Sequence, residues 1–341
     1  MITQPGNDQP LLIKDPASED SAFETALGVL WEDFDQTNNY PAVRPKLAHY
    51  TTLQTLESIL TGGQLWLSNP LYMNDHQEMR AGLNLGARLF YESAELKSSC
   101  KSVENHLYLT SAFSELFEKF SNTYALDTYI ACFSLHDATV PDGRLSMWRA
   151  YSAEGSGAAL IIDTQKFDAV EDDGPPLILA RVEYITDGQR EKWVRAKVLQ
   201  LAGLIDRHAK TFADLSTAVY HFIWRLKSFA IFTKHRGFEE EHEWRLAYLP
   251  ENDPKGLLRS MFGYHHGTFG IEPKLKLRLE PMAGVISDNF RLDDCIDTIL
   301  CGPTVSSPLA VASFQRMLHV LQKDHLGDRV KGSTTPFRKT R

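Results

Sequence analysis

The amino-acid sequence predicts a mixed α+β fold: a mostly antiparallel sheet core with a helical insertion and flanking helices. Three observations carry that prediction: short β-rich runs at distant positions, long helix-periodic stretches between them, and turn chemistry at the junctions. The runs Thr128 to Ser134 (TYIACFS), Gly157 to Asp163 (GAALIID) and Leu177 to Tyr184 (LILARVEY) are rich in β-formers and read as buried strands. Further strands are expected at Trp244 to Leu249, Leu275 to Leu279 and Cys295 to Cys301. An amphipathic helix is expected over 21–38, where Phe23, Leu27, Leu30, Trp31 and Phe34 recur at helical spacing. Next, Thr51 and Gln54 fit a capping box, Leu53, Leu56, Ile59 and Leu60 line one helix face, and Gly62-Gly63 stops the helix. Leu65 and Leu67 alternate with polar neighbours as a strand does, and Ser68-Asn69-Pro70 ends it.

Two helices are expected over 77–98 and 102–122, and a long helical region, read as two helices, over 188–235. Ser307 with Pro308 at the first helical position opens a last helix. This organises the chain as a loose arm over 1–19, one α+β domain over 20–327 with its insertion at 188–235, and a basic tail over 328–341 that frays. No internal repeat is visible.

The chain has 341 residues, 43% hydrophobic and 23% charged, which is ordinary for a globular protein. A formal net charge of −8 argues against general attraction to nucleic acid and leaves room only for a local basic groove. Cys100, Cys132, Cys295 and Cys301 lack C-x-x-C spacing, so neither a zinc knuckle nor a disulfide framework is indicated and a reducing cytoplasm is the expected location. Met1 to Pro16 is polar without a basic-then-apolar pattern, and no apolar run approaches a bilayer span, so neither secretion nor membrane insertion is expected.

Several segments hold residues suited to chemistry. His49 at a strand end, followed by Tyr50 and Thr51, can donate, accept or bind metal, or simply be satisfied by backbone. Asn74-Asp75 with Glu78 form either a turn with an acidic helix start or polar groups aimed into a cleft shared with His49. Trp148 and Tyr151 share a helix face, which suits core packing or a planar ligand, and Arg149 can pair with a carboxylate or a phosphate. The densest segment is Lys234-His235-x-x-Phe238-Glu239-Glu240-Glu241-His242-Glu243-Trp244-Arg245, where strand alternation sets Glu241, Glu243 and Arg245 on one face. It can equally be a solvated acidic turn held by local ion pairs. His235, Glu239 and His242 would approach a metal if the piece were helical, although the spacing is not H-E-x-x-H and no metal ligand set is assigned. Phe262 to Gly270, with His265-His266 and three glycines, reads as a surface loop or a mobile lid.

Together, HYTTLQTLESIL-x-x-G-x-LWLSNP-x-x-MND-x-x-E, CFS, SMWRAYS-x-x-G-x-G and KH-x-x-F-x-x-E-x-EWRLAY resemble an uncharacterised bacterial domain-of-unknown-function family, over roughly 45–305. The opening block is also similar to the first motif of ADP-ribosyltransferase-like domains. That resemblance implies a sheet core of that type, an NAD substrate, and ADP-ribose transfer to a protein or nucleic-acid acceptor, in a bacterial conflict or phage-defence role. It implies that His49 with Tyr50 and Thr51 holds a ribose of NAD and that Glu243 or Glu241 is catalytic. It further implies that Tyr151 or Trp148 lies against nicotinamide and that Arg149 or Arg245 holds the pyrophosphate. Such a site requires His49 and one of the two glutamates to face a common cleft. The other function classes open to the sequence are a metal-dependent hydrolase or nuclease using Lys234–Arg245 and a non-catalytic ligand-sensing or interaction protein.

Overall fold

The computed structural model describes residues 22–34, 37–73, 76–120, 125–168, 175–267 and 270–337. Along the chain come helix α1 (Ala22–Leu27), strand β1 (Lys46–Thr51), α2 (Leu53–Gly62), β2 (Gln64–Ser68), α3 (His76–Glu92), α4 (Ala94–Ser99) and α5 (Val103–Lys119). Then follow β3 (Tyr129–His136), α6 (Leu145–Tyr151), β4 (Ala158–Asp163), β5 (Leu177–Arg181), β6 (Glu183–Ile185), α7 (Asp187–His208) and α8 (Phe212–Phe232). The remainder is β7 (Thr233–His235), β8 (Glu243–Tyr248), β9 (Phe262–Gly267), β10 (Gly270–Arg278), α9 (Leu292–Cys295), β11 (Ile296–Cys301), α10 (Pro308–Val320) and β12 (Val330–Gly332). The architecture is thus a mixture of helices with a mostly antiparallel sheet. Among the described residues no helix is long and apolar enough to cross a membrane.

The chain forms two compact units, one drawn from Met1–Phe34, Ala81–Asn122 and Gly188–Phe229 and the other from Asp35–Arg80, Thr123–Asp187 and Ala230–Arg341. In the first, the expected helical insertion packs with earlier helices: Phe90 of α3 stacks on Phe113 of α5 at 4.0 Å and meets Phe222 of α8 at 5.6 Å. Such aromatic pairs stabilise by area and ring geometry together.

The second unit holds the sheet, whose main path runs β12-β11-β4-β1-β3-β2-β10-β9, with β8 joining β3 and β5. Pairings are antiparallel apart from β11 with β12 and the separate pair β6 with β7. The two faces of the sheet bury different sets, because successive strand side chains point opposite ways. Leu47, Phe133, Leu160 and Trp244 join the large core that includes Leu56 and Leu60 of α2 and Phe314 and Leu318 of α10. Ala48, Tyr50, Ala159 and Ile161 join a smaller core with Met147 and Trp148 of α6.

Several boundaries differ from expectation. The cap of α2 is Thr52, whose hydroxyl accepts from Thr55 N, because Thr51 stays in the β1 ladder opposite Ala158. Gly63 stops that helix in the left-handed region at φ 58°, where a Cβ is disfavoured. The run 177–184 splits at Val182 into β5 and β6, which belong to different sheets. Phe262 to Gly267 is a strand in a hairpin with β10 and not a lid, because its register runs unbroken from Leu275–Phe262 to Gly270–Gly267. The expected helix over 21–38 is short, α1 passing into a 3-10 turn at Gly28–Trp31. Within the expected fraying tail, β12 instead pairs with β11.

Asn69 shows how one polar side chain sets the path after β2. Its amide nitrogen donates to the carbonyls of Ala125, Leu126 and Thr128, and its oxygen accepts from Leu71 N at 2.9 Å. Asn69 is fully buried, so Asn69→Ala removes these bonds from groups of which several lie away from water. The variant is expected to lose roughly 2–3 kcal/mol in urea denaturation; a loss well under about 1 kcal/mol contradicts this role.

Candidate functional site

Two cations and two carboxylates converge where β7 passes into β8. Lys234 sits in β7, and a 3-10 turn over Arg236–Glu241 carries Glu241 back beside it. His242 then adopts the left-handed region at φ 43° and ψ 52°, which bends the chain between the two glutamates before β8 begins at Glu243. Non-glycine residues rarely hold this conformation, so surrounding contacts must impose it. They do: Ser134 Oγ donates to Glu241 O, Leu135 N to His242 O, and Glu243 N to Tyr184 Oη.

Lys234 Nζ lies 2.6 Å from Glu241 Oε2 and 3.3 Å from Glu243 Oε2. Arg245 grips Glu243 through Nε at 2.7 Å and Nη2 at 3.0 Å, and its Nη1 donates to Ile231 O. Lys234, Glu243 and Arg245 are all deeply buried, while Glu241 lies slightly nearer solvent. Tyr151 of α6, 39% exposed, donates its hydroxyl to Glu241 Oε1 at 3.2 Å. The exposed Phe238 ring covers the Lys234 ammonium at 4.7 Å.

This environment pushes the two carboxyls apart. Burial raises Glu241 above the ordinary carboxylate range, more than the hydrogen bond and charge of Lys234 and the Tyr151 hydroxyl bring it down. Burial also opposes ionisation of Glu243, but the Arg245 charge and hydrogen bonds, Lys234 and the Cys132 side chain outweigh it and hold the group at about 2. Tyr184, packed beside them, is pushed up to about 12, chiefly by burial. Glu243 is thereby the stronger acid of the two and Glu241 the weaker.

His49 lies elsewhere in the same sheet. Ala48 pairs with Ser134 and Ser134 with Glu243, so by alternation Glu243 shares the face of Ala48 while His49 shares that of Leu47 and Leu160. This alternation sets His49 and Glu243 on opposite faces of the sheet; Glu241, in the 3-10 turn before β8, is not placed by it. The reason for the opposition is the register of a single pairing, since a slip of one residue would reverse it.

Ser134 pairs with both β1 and β8, and Ile130 with both β2 and β8, so β1 and β2 lie along one edge of β3. Between them that edge is open over Ala131 to Phe133, and His49 Nδ1 reaches into it to the Cys132 carbonyl at 3.1 Å. A carbonyl only accepts, so Nδ1 carries the proton and Nε2 the lone pair. Burial lowers the His49 pKa and favours this neutral form. Phe133 packs beside the ring at 5.5 Å. Cys132 thus touches both expected partners, His49 through its carbonyl and Glu243 through its side chain.

Other expected ligand contacts are corrected by packing. Trp148 is fully buried, with Nε1 donating to Asp142 O, and presents no face to a ligand. Tyr50 is buried with its hydroxyl accepting from Arg144 N, and Thr51 is likewise buried. Arg245 is committed to Glu243 and does not reach toward solvent for a pyrophosphate. Arg149 is exposed, its guanidinium 5.9 Å from the Phe337 ring centroid. Asn74 and Asp75 lie outside the described residues. The helix assumed for a metal site at His235, Glu239 and His242 is replaced by strand and 3-10 turn. Among the described residues no three His, Cys, Asp or Glu side chains gather where they could hold a metal. The structure adds Ser134 to the site and makes Lys234 the partner of both glutamates; the KH pair before the glutamate run is the signal in the sequence for Lys234.

The stretch from α6 to β8 is also where a known family is found. Residues 147–246 match the family model DUF2971, a protein of unknown function. The matched stretch contains Tyr151, Tyr184, Lys234, Glu241, Glu243 and Arg245, and excludes His49. No curated protein and no solved structure matches the chain.

Proposed function

We propose that the protein is an NAD-using, ADP-ribosyltransferase-like enzyme in which Glu241 is the acid/base carboxylate and Glu243 its fixed anionic support. The observation that carries this is the pair of adjacent glutamates with divergent proton affinities, the more weakly acidic one bonded to an exposed tyrosine. A pair of carboxyls separated in this way marks which holds charge and which exchanges protons. NAD as substrate is supported by the resemblance of the His49 block and by the β1–α2–β2 order, with both strands laid along one edge of β3. His49 serves in this proposal at the opening in that edge, and not as the wall facing Glu241.

The chemistry is a substitution at the ribose carbon bonded to nicotinamide. Nicotinamide leaves with the bonding pair, positive charge develops on the ribose, and an acceptor nucleophile forms the new bond while Glu241 takes its proton. A buried carboxylate acts strongly on such charge because little water screens it. The closed pairing of Lys234 and Arg245 with the two glutamates also favours a second reading, a purely structural ion network in a binding protein.

One experiment separates the two. Parent, Glu241→Gln and Tyr151→Phe are incubated with nicotinamide-labelled NAD and cell lysate, with melting curves in parallel. Nicotinamide release by the parent, reduced about 100-fold or more in Glu241→Gln at matched folding, is expected. Release that is equal in parent and Glu241→Gln, or absent from the parent, removes the enzymatic assignment in favour of the structural network.

A further inference from the structure

The C-terminal segment after β12 is tied to the loop that supports α6. Ser333 N donates to Cys301 O, continuing the β11 edge, and Ser333 Oγ donates to Asp142 O at 2.8 Å. Thr334 then meets the Asp142 carboxylate twice: its N–H donates to Oδ1 at 2.8 Å and its hydroxyl to Oδ2 at 2.7 Å. Phe337 lies over the turn that follows α6, so close that a Cβ on Gly155 would stand 3.1 Å from its ring. The Arg149 guanidinium of α6 lies 5.9 Å from the centroid of the same ring.

Asp142 faces inward as well. Its carbonyl accepts from Trp148 Nε1 at 2.9 Å, which anchors the buried ring of α6. Gly143 follows at φ 79°, where a Cβ would come within 2.8 Å of both Trp148 Nε1 and Tyr50 Oη. Arg144 N donates to Tyr50 Oη. The loop 142–144 therefore joins β1, α6 and the C-terminal segment in three consecutive residues. Three left-handed residues, Ala153, Glu154 and Gly155, close α6 from its other end. A seven-residue helix held at both ends by such contacts has few bonds of its own to keep its place.

We propose that the C-terminal segment Ser333–Phe337 is a strap that holds α6, and with it Tyr151, against Glu241, and that Asp142 is its positioning residue. The consequence for catalysis rests on Glu241 as the reactive carboxyl; the mechanical coupling does not. When the strap is loosened, Tyr151 leaves Glu241, and the carboxylate loses a hydrogen bond that favours its charged form.

The test uses the full chain beside a chain ending at Ser333, Asp142→Ala, Thr334→Ala and the conservative Asp142→Asn. Amide hydrogen exchange is read over α6 and over β4, and the Glu241 carboxyl is titrated by NMR, assigned with Glu241→Gln. In the shortened chain and in Asp142→Ala, exchange over α6 is expected to rise at least about tenfold while β4 keeps its protection. The Glu241 midpoint is expected to move up by roughly 0.5 pH unit. Asp142→Asn, whose amide can accept from Thr334 N and donate to its hydroxyl, restores both values. If the shortened chain does not fold, Thr334→Ala carries the same two readouts. Unchanged α6 exchange and midpoint overturn the strap, as does an equal loss of protection in β4. Neither readout depends on NAD turnover, so failure of the enzymatic assignment and failure of the strap are distinguishable.

Discussion

Replacing Glu243 by alanine is expected to lower the stability of the larger unit by about 3–5 kcal/mol, because it strands buried cations without their anion. Glu243 accepts from Arg245 Nε and Nη2, and Lys234 stands 3.3 Å away, with all three side chains at 4% exposure or less. Lys234 would retain Glu241 at 2.6 Å, whereas the Arg245 guanidinium would lose both of its bonds to the carboxylate. The loss should appear in guanidinium unfolding curves, and Glu243→Gln should recover part of it by preserving shape. A loss under about 1 kcal/mol would show that water reaches Arg245 freely. The same group dictates an acid limit. Its folded pKa, about 2, lies below the ordinary 4.5, so the unfolded chain binds the proton more readily. The stabilisation is therefore complete above about pH 4.5 and is lost as pH falls toward 2. Parent stability should decline through that window, and the decline should be shallower in Glu243→Ala.

Asp33→Ala is expected to destabilise the helical unit by roughly 2–3 kcal/mol, a figure discounted for the partial solvation of the carboxylate. Asp33 is 37% exposed by side chain, whereas its partners Lys197 and Arg225 are 4% exposed. It accepts from Lys197 at 2.7 Å, Arg225 Nη2 at 3.0 Å and Trp193 Nε1 at 2.6 Å. Leu30 O takes further bonds from Lys197 and Arg225, so the two cations tie residues 22–34 onto α7 and α8. Burial opposes ionisation of Asp33, yet Lys197, Arg225 and Trp193 together lower its pKa. This contribution too is present at neutral pH and disappears on acidification. Thermal melting at pH 7 should show the loss, with exchange rising first over α1 and the adjoining turn. Equal melting of variant and parent would mean the carbonyl of Leu30 suffices for both cations.

Much of the fold was readable because its signals are local. The α2 unit declares itself through its hydrophobic face, its double-glycine stop and the alternation of Leu65 and Leu67; α10 does so through Ser307 and Pro308. The strand TYIACFS follows from its β-formers, and α7 and α8 answer to the two helices expected over 188–235. Locality also explains the errors. Thr51 and Thr52 are chemically alike, and only the ladder opposite Ala158 decides that the second one caps. The hairpin of β9 and β10 contains glycines and histidines that look like a loop until the Leu275 register pairs them.

The site divides along the same line. A 3-10 turn and the left-handed His242 interrupt the expected alternation at Glu241, so of the three only Glu243 and Arg245 stand two apart on one strand; the sequence encodes the meeting of that pair. It also determined the turn chemistry, the capped helices and the content of the strands, since each depends on neighbours within a few residues. Long-range pairing alone puts Lys234 between the glutamates, packs Trp148 and Tyr50 inside, and turns His49 from the face of Glu243. The physical reason is that side-chain direction in a sheet has a period of two: which face a residue takes depends on the register of strands more than eighty residues apart, as His49 and Cys132 are. Nothing within either segment encodes that parity.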